Sequence, residues 1–142
     1  MIVAKRSLLG ARRLTRLAEL CTSKDAKPLQ LTFLRHGQST WNKKGIFIGM
    51  TDTPLTEEGR REATGAGKML HENGLEFDAV YTSLLVRSTD TVYLALREMG
   101  MEWLTVQKDW RLNERNYGAL VGTDKKKCVF QYGKDQVKRW RR

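Results

Sequence analysis

The stretch LQLTFLRHGQSTWN, residues 29–42, sets an apolar run directly before an arginine, a histidine and a glycine. The run Leu29–Leu34 has the length and composition of a β-strand. Two more short apolar runs, Ala79–Thr82 and Trp103–Val106, follow it after segments with helical spacing. This alternation is typical of a βαβα domain, so we predict the α/β fold class with a mostly parallel sheet.

The ends of the helices are predicted from their capping residues. Thr56 is a good N-cap, two glutamates follow it in the first turn, and the apolar stripe after them ends near Asn73. Ser83 is predicted to cap a second helix that stops at Gly100. A third, short helix is predicted near Lys125–Tyr132, because a glycine follows it directly.

The size and composition of the chain suit one compact domain. With 142 residues, 40% of them apolar and 30% charged, the chain is too short for two ordinary domains. No stretch approaches the roughly 20 consecutive apolar residues that a membrane helix needs, which excludes a membrane-spanning protein. Two cysteines, Cys21 and Cys128, give no support to a disulfide framework of the small secreted kind.

The net charge of +10 is concentrated at the two ends of the chain. Residues 1–28 are rich in arginine and poor in acids, and Leu9, Leu14, Leu17 and Leu20 can share one face of a helix. This pattern is typical of a mitochondrial transit peptide, although a disordered basic arm or a surface helix would also fit. We therefore predict that residues 1–28 lie outside the fold and that the protein is mitochondrial, with a cytoplasmic location as the alternative.

Polar groups follow each predicted strand, where ligands bind in parallel sheets. Arg35 and His36 follow the first strand, Arg87 follows the second, and Glu114 lies in a loop after the third. A neutral imidazole is a competent nucleophile towards phosphorus, a guanidinium binds phosphoryl oxygens, and a carboxylate can exchange a proton. The alternatives are a structural histidine and, for Glu114, a solvated ion pair.

The basic residues at the end of the chain form a second candidate feature. Lys125, Lys126 and Lys127 are followed by Arg139, Arg141 and Arg142. Such a cluster is usually a solvated face and occasionally a contact for phosphate or nucleic acid.

Five segments of the chain together resemble one family, the 2,3-bisphosphoglycerate-dependent phosphoglycerate mutases of the histidine phosphatase superfamily. Their order and spacing follow the family from Leu31 to the end of the chain. The segments are LRHGQSTWN at 34–42, IFIGMTDTPLTEEGR at 46–60, FDAVYTSLLVR at 77–87, WRLNERNYGAL at 110–120 and YGKDQVKRWRR at 132–142.

The resemblance implies a three-layer sandwich and a role for each matching residue. His36 would become phosphorylated and pass the phosphoryl group to a phosphoglycerate, and Glu114 would be the proton donor and acceptor. The resemblance also implies 2,3-bisphosphoglycerate as the phosphoryl primer and no metal. The residues that would bind the substrate are Arg35, Asn42, Gly49, Arg87, Tyr117, Lys125, Arg141 and Arg142.

The chain departs from the family pattern at three places. Gln38 and Ile48 stand where an acid and a small polar residue are common. The chain also stops at Arg142, where the family's catalytic domain is about half built, so a later Gly-His-Gly segment with the second catalytic histidine is absent. We therefore expect residues 29–142 to form a partial domain whose C-terminal part is missing.

The function that the resemblance implies is the interconversion of 3-phosphoglycerate and 2-phosphoglycerate in glycolysis and gluconeogenesis. One alternative is a histidine-type phosphatase of phosphomonoesters, and another is a non-catalytic remnant that binds anions or a partner through its basic end. The expected partners are small phosphorylated sugar acids and a second copy of the chain, rather than nucleic acid or membrane.

Overall fold

The computed structural model of the chain describes residues 2–6 and 30–141. They form a four-stranded sheet in the order β2-β1-β3-β4. The strands are β1 (Ile2–Arg6), β2 (Gln30–Leu34), β3 (Ala79–Thr82) and β4 (Val106–Lys108). Strand β1 runs antiparallel to both β2 and β3, whereas β3 and β4 are parallel. Strands β2, β3 and β4 therefore run in one direction, and their carboxyl ends lie at the same edge of the sheet.

The α/β class is confirmed, with strand β1 as a difference from expectation. We expected all of residues 1–28 to lie outside the fold, but the backbone of Ile2–Arg6 pairs with both neighbouring strands. The basic residues after the start of the chain favour a leader, and this pattern hides the strand propensity of the Ile-Val pair. The leucine stripe lies outside the described residues, so the transit peptide remains a prediction.

Five α-helices, besides two short 3₁₀ helices at Trp110–Leu112 and Gly118–Leu120, accompany the sheet in the described part of the chain. They are α1 (Thr40–Lys44), α2 (Glu57–Glu72), α3 (Val86–Glu98), α4 (Lys125–Tyr132) and α5 (Lys134–Arg141). Thr56 caps α2 as predicted, since its side chain accepts a hydrogen bond from the amide of Gly59, and α4 has its predicted bounds. None of the helices among these residues is long and apolar enough to cross a membrane.

Helices α2 and α3 cover one face of the sheet. Val80 of β3 is buried against Val92 and Leu96 of α3, with Leu34 of β2 and Leu70 of α2 packed around them. On the opposite face of β2, Leu31 and Phe33 are 52% and 60% exposed. The described residues therefore form two of the three layers that the resemblance implies.

Two sequence-based expectations about element ends are wrong. The third strand begins at Val106, not at Trp103, because residues 102–104 form a turn. Ser83 does not cap α3, whose first amide, that of Val86, instead donates to Oδ1 of Asp52 at 2.7 Å. Asp52 lies more than thirty residues earlier in the chain, and local capping patterns do not identify such a partner.

Candidate active site

The structure brings the predicted site residues together at the carboxyl edge of the sheet. Apart from Arg142, which lies outside the described residues, all of them line a single cavity of about 90 Å³. Phe47 and Ile48 complete its wall. The residues that line the cavity as predicted are Arg35, His36, Asn42, Gly49, Arg87, Glu114, Tyr117, Lys125 and Arg141.

His36 lies just after the carboxyl end of β2, and its hydrogen bond defines the tautomer of the ring. Its Nδ1 is 2.8 Å from the carbonyl oxygen of Gly37. Because a carbonyl can only accept, Nδ1 carries the hydrogen and Nε2 keeps its lone pair. Burial lowers the pKa of the imidazole below 6.5, the bond to Gly37 opposes this shift, and the charges of Arg87 and Arg35 lower the pKa further. The ring is therefore neutral at neutral pH, as a nucleophile must be.

We expect this lowered pKa to make the fold of the protein less stable in mild acid. The unfolded chain has an ordinary histidine pKa of 6.5 and binds the proton more readily than the folded chain. The free energy of unfolding should therefore fall as the pH drops through 6.5 and below. Urea unfolding of the unmodified chain and of a His36→Asn variant, from about pH 8 to pH 5, would measure the difference. An identical pH dependence of the two proteins would contradict the prediction.

The loop that carries His36 is anchored to α3 through a buried hydroxyl. The amide of Gly37 donates to Oγ1 of Thr91 at 3.1 Å, and that hydroxyl donates to the carbonyl of Arg87 at 2.7 Å. Gly37 also packs against Gly59 of α2 so closely that a Cβ on Gly37 would lie 2.2 Å from the carbonyl oxygen of Gly59. His36 therefore lies on a loop that is held between α2 and α3.

Arg87 is a buried guanidinium held by backbone carbonyls. It is 1% exposed, and its two terminal nitrogens donate to the carbonyls of Thr51 and Gly49, each at 3.0 Å. Its Nε is buried without a partner among the described residues. Burial lowers the pKa of Arg87, while the charges of Glu114 and Asp52 act in the opposite direction. Only two of the five guanidinium N–H groups donate to these carbonyls, and an oriented donor with spare N–H groups in a cavity is the arrangement that an anionic ligand needs.

The cavity carries an excess of positive charge. Arg35, Arg87, Lys125 and Arg141 line it together with a single carboxylate, Glu114. Burial lowers the pKa of Lys125, and the charges of Arg141 and Arg35 lower it further, while Glu114 opposes the shift. Several cations converging on so small a space favour a compact polyanion over a neutral ligand.

The loop after β4 fixes Glu114 and the last helix relative to each other. The amide of Arg115 donates to Oε1 of Glu114 at 3.1 Å. The guanidinium of Arg115 donates to the carbonyl of Arg141 at 3.0 Å and lies over the ring of Tyr117, 5.4 Å from its centroid. The carboxylate of Glu114 and the cationic end of α5 thus both line the cavity next to this loop.

Asn42 presents only part of its side chain to a ligand. Its Oδ1 accepts hydrogen bonds from the amide and the hydroxyl of Ser39, at 3.1 and 2.8 Å, in the capping box of α1. The NH₂ group is left to donate into the cavity, which suits an acceptor such as a phosphoryl oxygen.

Some residues that build the site were not predicted. The sequence does not predict a role for Thr91, because a threonine at helical spacing is expected to be simply one of the buried residues of α3. Phe47 is 1% exposed, and its ring lies 5.7 Å from Nζ of Lys125 and 5.4 Å from the ring of Tyr117. In the part of the chain that is described, no group of three or more histidine, cysteine or acidic side chains could hold a metal ion.

A neutral histidine and a buried arginine at the carboxyl ends of parallel strands are the arrangement expected of the histidine phosphatase class of proteins. The family model of the histidine phosphatase superfamily (branch 1) matches residues 31–142. The chain belongs to this superfamily.

Three similar proteins give the comparison more detail. The 2,3-bisphosphoglycerate-dependent phosphoglycerate mutase of Baumannia cicadellinicola subsp. Homalodisca coagulata is 49% identical over 113 residues, which are 80% of this chain and 48% of that protein. A mycobacterial glucosyl-3-phosphoglycerate phosphatase, solved with VO3, has a TM-score of 0.64 and 28% identity over 74% of this chain and 50% of its own. A phosphoglycerate mutase from Bacillus anthracis has the same fold, with a TM-score of 0.60 and 24% identity over 72% of this chain and 51% of its own. The chain thus spans about half the length of the relatives it matches.

Proposed function

We propose that the chain carries the phosphohistidine site of a phosphoglycerate mutase, which interconverts 3-phosphoglycerate and 2-phosphoglycerate. The observation that carries the proposal is the convergence of His36, Arg87 and Glu114 on one cationic cavity. The 49% identity to a 2,3-bisphosphoglycerate-dependent mutase supports this substrate class over others. The proposed ligands are therefore small phosphorylated sugar acids.

The primer 2,3-bisphosphoglycerate fits the charge of the cavity. The guanidinium of Arg87 and the ammonium of Lys125, which both line the cavity, supply donors for phosphoryl and carboxylate oxygens. Arg35 and Arg141 add two further cations. When bound, the primer would supply the phosphoryl group that loads His36.

Four residues of this chain have different roles in the proposed transfer of the phosphoryl group. Nε2 of His36 forms a bond to phosphorus while the bond from phosphorus to the ester oxygen breaks, and that oxygen leaves with the electron pair. Glu114 gives the leaving oxygen a proton and takes one back from the acceptor hydroxyl in the reverse step. Arg35 and Arg87 bind the equatorial oxygens, whose negative charge spreads during transfer.

A phosphatase is the second candidate function. The fold similarity to a glucosyl-3-phosphoglycerate phosphatase, at a TM-score of 0.64, favours it. In that reaction, water replaces the second sugar acid as acceptor, and Glu114 would take the proton from the water. The first half of the reaction, phosphorylation of His36, is the same in both candidates.

We expect the chain to take up acid-labile phosphate from radiolabelled 2,3-bisphosphoglycerate. His36→Ala should abolish the label, because it removes the only nucleophile in the cavity that we assign. His71→Ala is the matched control, since His71 is exposed in the last turn of α2 and does not line the cavity. Adding 3-phosphoglycerate to labelled chain should move the label to the sugar acid, whereas release as inorganic phosphate from varied esters favours the phosphatase.

An absence of label in the folded chain would contradict both catalytic candidates. Calorimetry with bisphosphoglycerate would then identify a non-catalytic anion-binding remnant if it shows binding without transfer.

A further inference from the structure

The peptide unit between Gly37 and Gln38 has a side chain hydrogen-bonded at each end. Its carbonyl oxygen, on Gly37, accepts from Nδ1 of His36 at 2.8 Å. Its amide, on Gln38, donates to Oε2 of Glu62 at 2.7 Å. Because a peptide unit is planar and resonance-stabilised, the two hydrogen bonds are coupled through one group of atoms. Glu62 belongs to α2 and does not line the cavity.

A carboxylate that binds the amide of a peptide unit increases the negative charge on the carbonyl oxygen of the same unit. It draws the peptide hydrogen towards itself and favours the resonance form with more negative charge on oxygen. The carbonyl of Gly37 then becomes a stronger acceptor for Nδ1–H of His36. A stronger bond at Nδ1 holds the ring in one tautomer and increases the electron density at Nε2.

The surrounding contacts hold the peptide unit in place. The carbonyl of Gln38 accepts from the amide of Thr56 at 2.9 Å and from its hydroxyl at 3.2 Å. Thr56 is the N-cap of α2, so the helix that carries Glu62 also binds the next peptide unit. The side chain of Thr91 fixes the preceding amide, that of Gly37. The relative positions of His36 and Glu62 are thus set by two helices.

We propose that Glu62 is a positioning residue for phosphoryl transfer, acting on His36 through the Gly37–Gln38 peptide. The inference rests on the proposed function of His36 as the nucleophile. As Nε2 bonds to phosphorus and the ester oxygen leaves with the electron pair and a proton from Glu114, the imidazole gains positive charge. The carboxylate of Glu62 stabilises that charge through the polarised peptide.

Substitution of Glu62 leaves the other charges around His36 unchanged. Since Glu62 is exposed, solvent screens its direct field, and the effect reaches the ring mainly through the hydrogen-bonded peptide. The charged groups that line the cavity with His36 are Arg35 from the end of β2, Arg87 from α3, Glu114 from the loop after β4, Lys125 from α4 and Arg141 from α5.

The test compares Glu62→Gln with Glu58→Gln. The first variant keeps an acceptor for the amide of Gln38 and removes only the charge. The second removes a charge from the same helix at an exposed residue, whose carboxylate pairs with Arg61 at 3.0 Å. We expect Glu62→Gln to slow the labelling of His36 about threefold to tenfold. It should also move the NMR titration midpoint of His36 to lower pH, while the urea midpoint stays unchanged and Glu58→Gln alters neither quantity.

A purely structural tether would give a different result. In that case Glu62→Gln would match the unmodified chain in rate and titration midpoint, and only Glu62→Ala would be slow or unstable, which would overturn the proposal. The titration midpoint does not depend on phosphoryl transfer. If the unmodified chain takes up no label, the proposed function fails, and the midpoint of Glu62→Gln still decides whether the peptide transmits the charge.

Discussion

Arg87→Lys should slow the phosphorylation of His36 by about a hundredfold, the cost typical of losing one fixed donor to a transferring group. The guanidinium lines the cavity and is held in place by the carbonyls of Gly49 and Thr51. A lysine has one compact ammonium, so it cannot bind both carbonyls and a phosphoryl oxygen in the same planar arrangement. Single-turnover labelling with bisphosphoglycerate measures the effect.

The same substitution should lower the free energy of unfolding by about 2 kcal/mol, because at least one buried carbonyl loses its donor. Urea unfolding would measure this loss. Arg97→Lys is the matched control, since Arg97 lies on the same helix, is exposed and pairs with Glu102 at 3.1 Å. It should leave both the labelling rate and the stability near their original values. Labelling of Arg87→Lys at the unmodified rate would show that Arg87 is structural and does not bind the transferring group.

Gly37→Ala should destabilise the fold by about 3 kcal/mol, at the upper end of what overpacking usually costs. The added Cβ would lie 2.2 Å from the carbonyl oxygen of Gly59 and 2.8 Å from its carbonyl carbon. Both are backbone atoms of α2 and cannot rotate away, so the loop or the helix must move. Such a movement would also displace His36, and we expect the folded variant to label more slowly. Chemical denaturation and labelling in the absence of denaturant would measure the two effects.

Gly65→Ala provides the control for added volume on the same helix. No atom lies within 4 Å of the Cβ position at Gly65. An alanine there should raise the free energy of unfolding by about 0.5 to 1 kcal/mol, since it only improves the helix propensity of α2. Equal stability of Gly37→Ala and the unmodified chain would contradict the close packing of Gly37 against Gly59.

The position of the site could be predicted from the sequence because a general rule of parallel sheets applied. His36 and Arg87 each follow a short apolar run, and strands that run in one direction bring such residues to one edge. The backbone of Ile2–Arg6 was missed, because a strand next to basic residues resembles the start of a leader. The residues lining the cavity gained their individual roles from family resemblance, which strand periodicity alone does not supply.

Contacts between residues distant in the chain were beyond the reach of sequence patterns. Asp52 takes the place of Ser83 at the start of α3, and Thr91 binds the loop of His36 from 54 residues away. Most aspartates are solvated and many threonines are buried without a special role, so the residue type alone does not predict these contacts. Helix α5 is not predicted, since Gly133 is predicted only as the stop of α4 and the basic run after it holds just two apolar residues, Val137 and Trp140.

The guanidinium of Arg115 donates to the backbone carbonyl of Arg141, so the position of this helix end does not depend on the side chain at 141. Every amino acid offers that carbonyl, so the link survives whichever side chain occupies position 141. Mutation could therefore exchange the cation for another group, and so change the charge of the cavity, without loosening the helix that carries it. The charge at this position is free to diverge while the backbone around it stays the same.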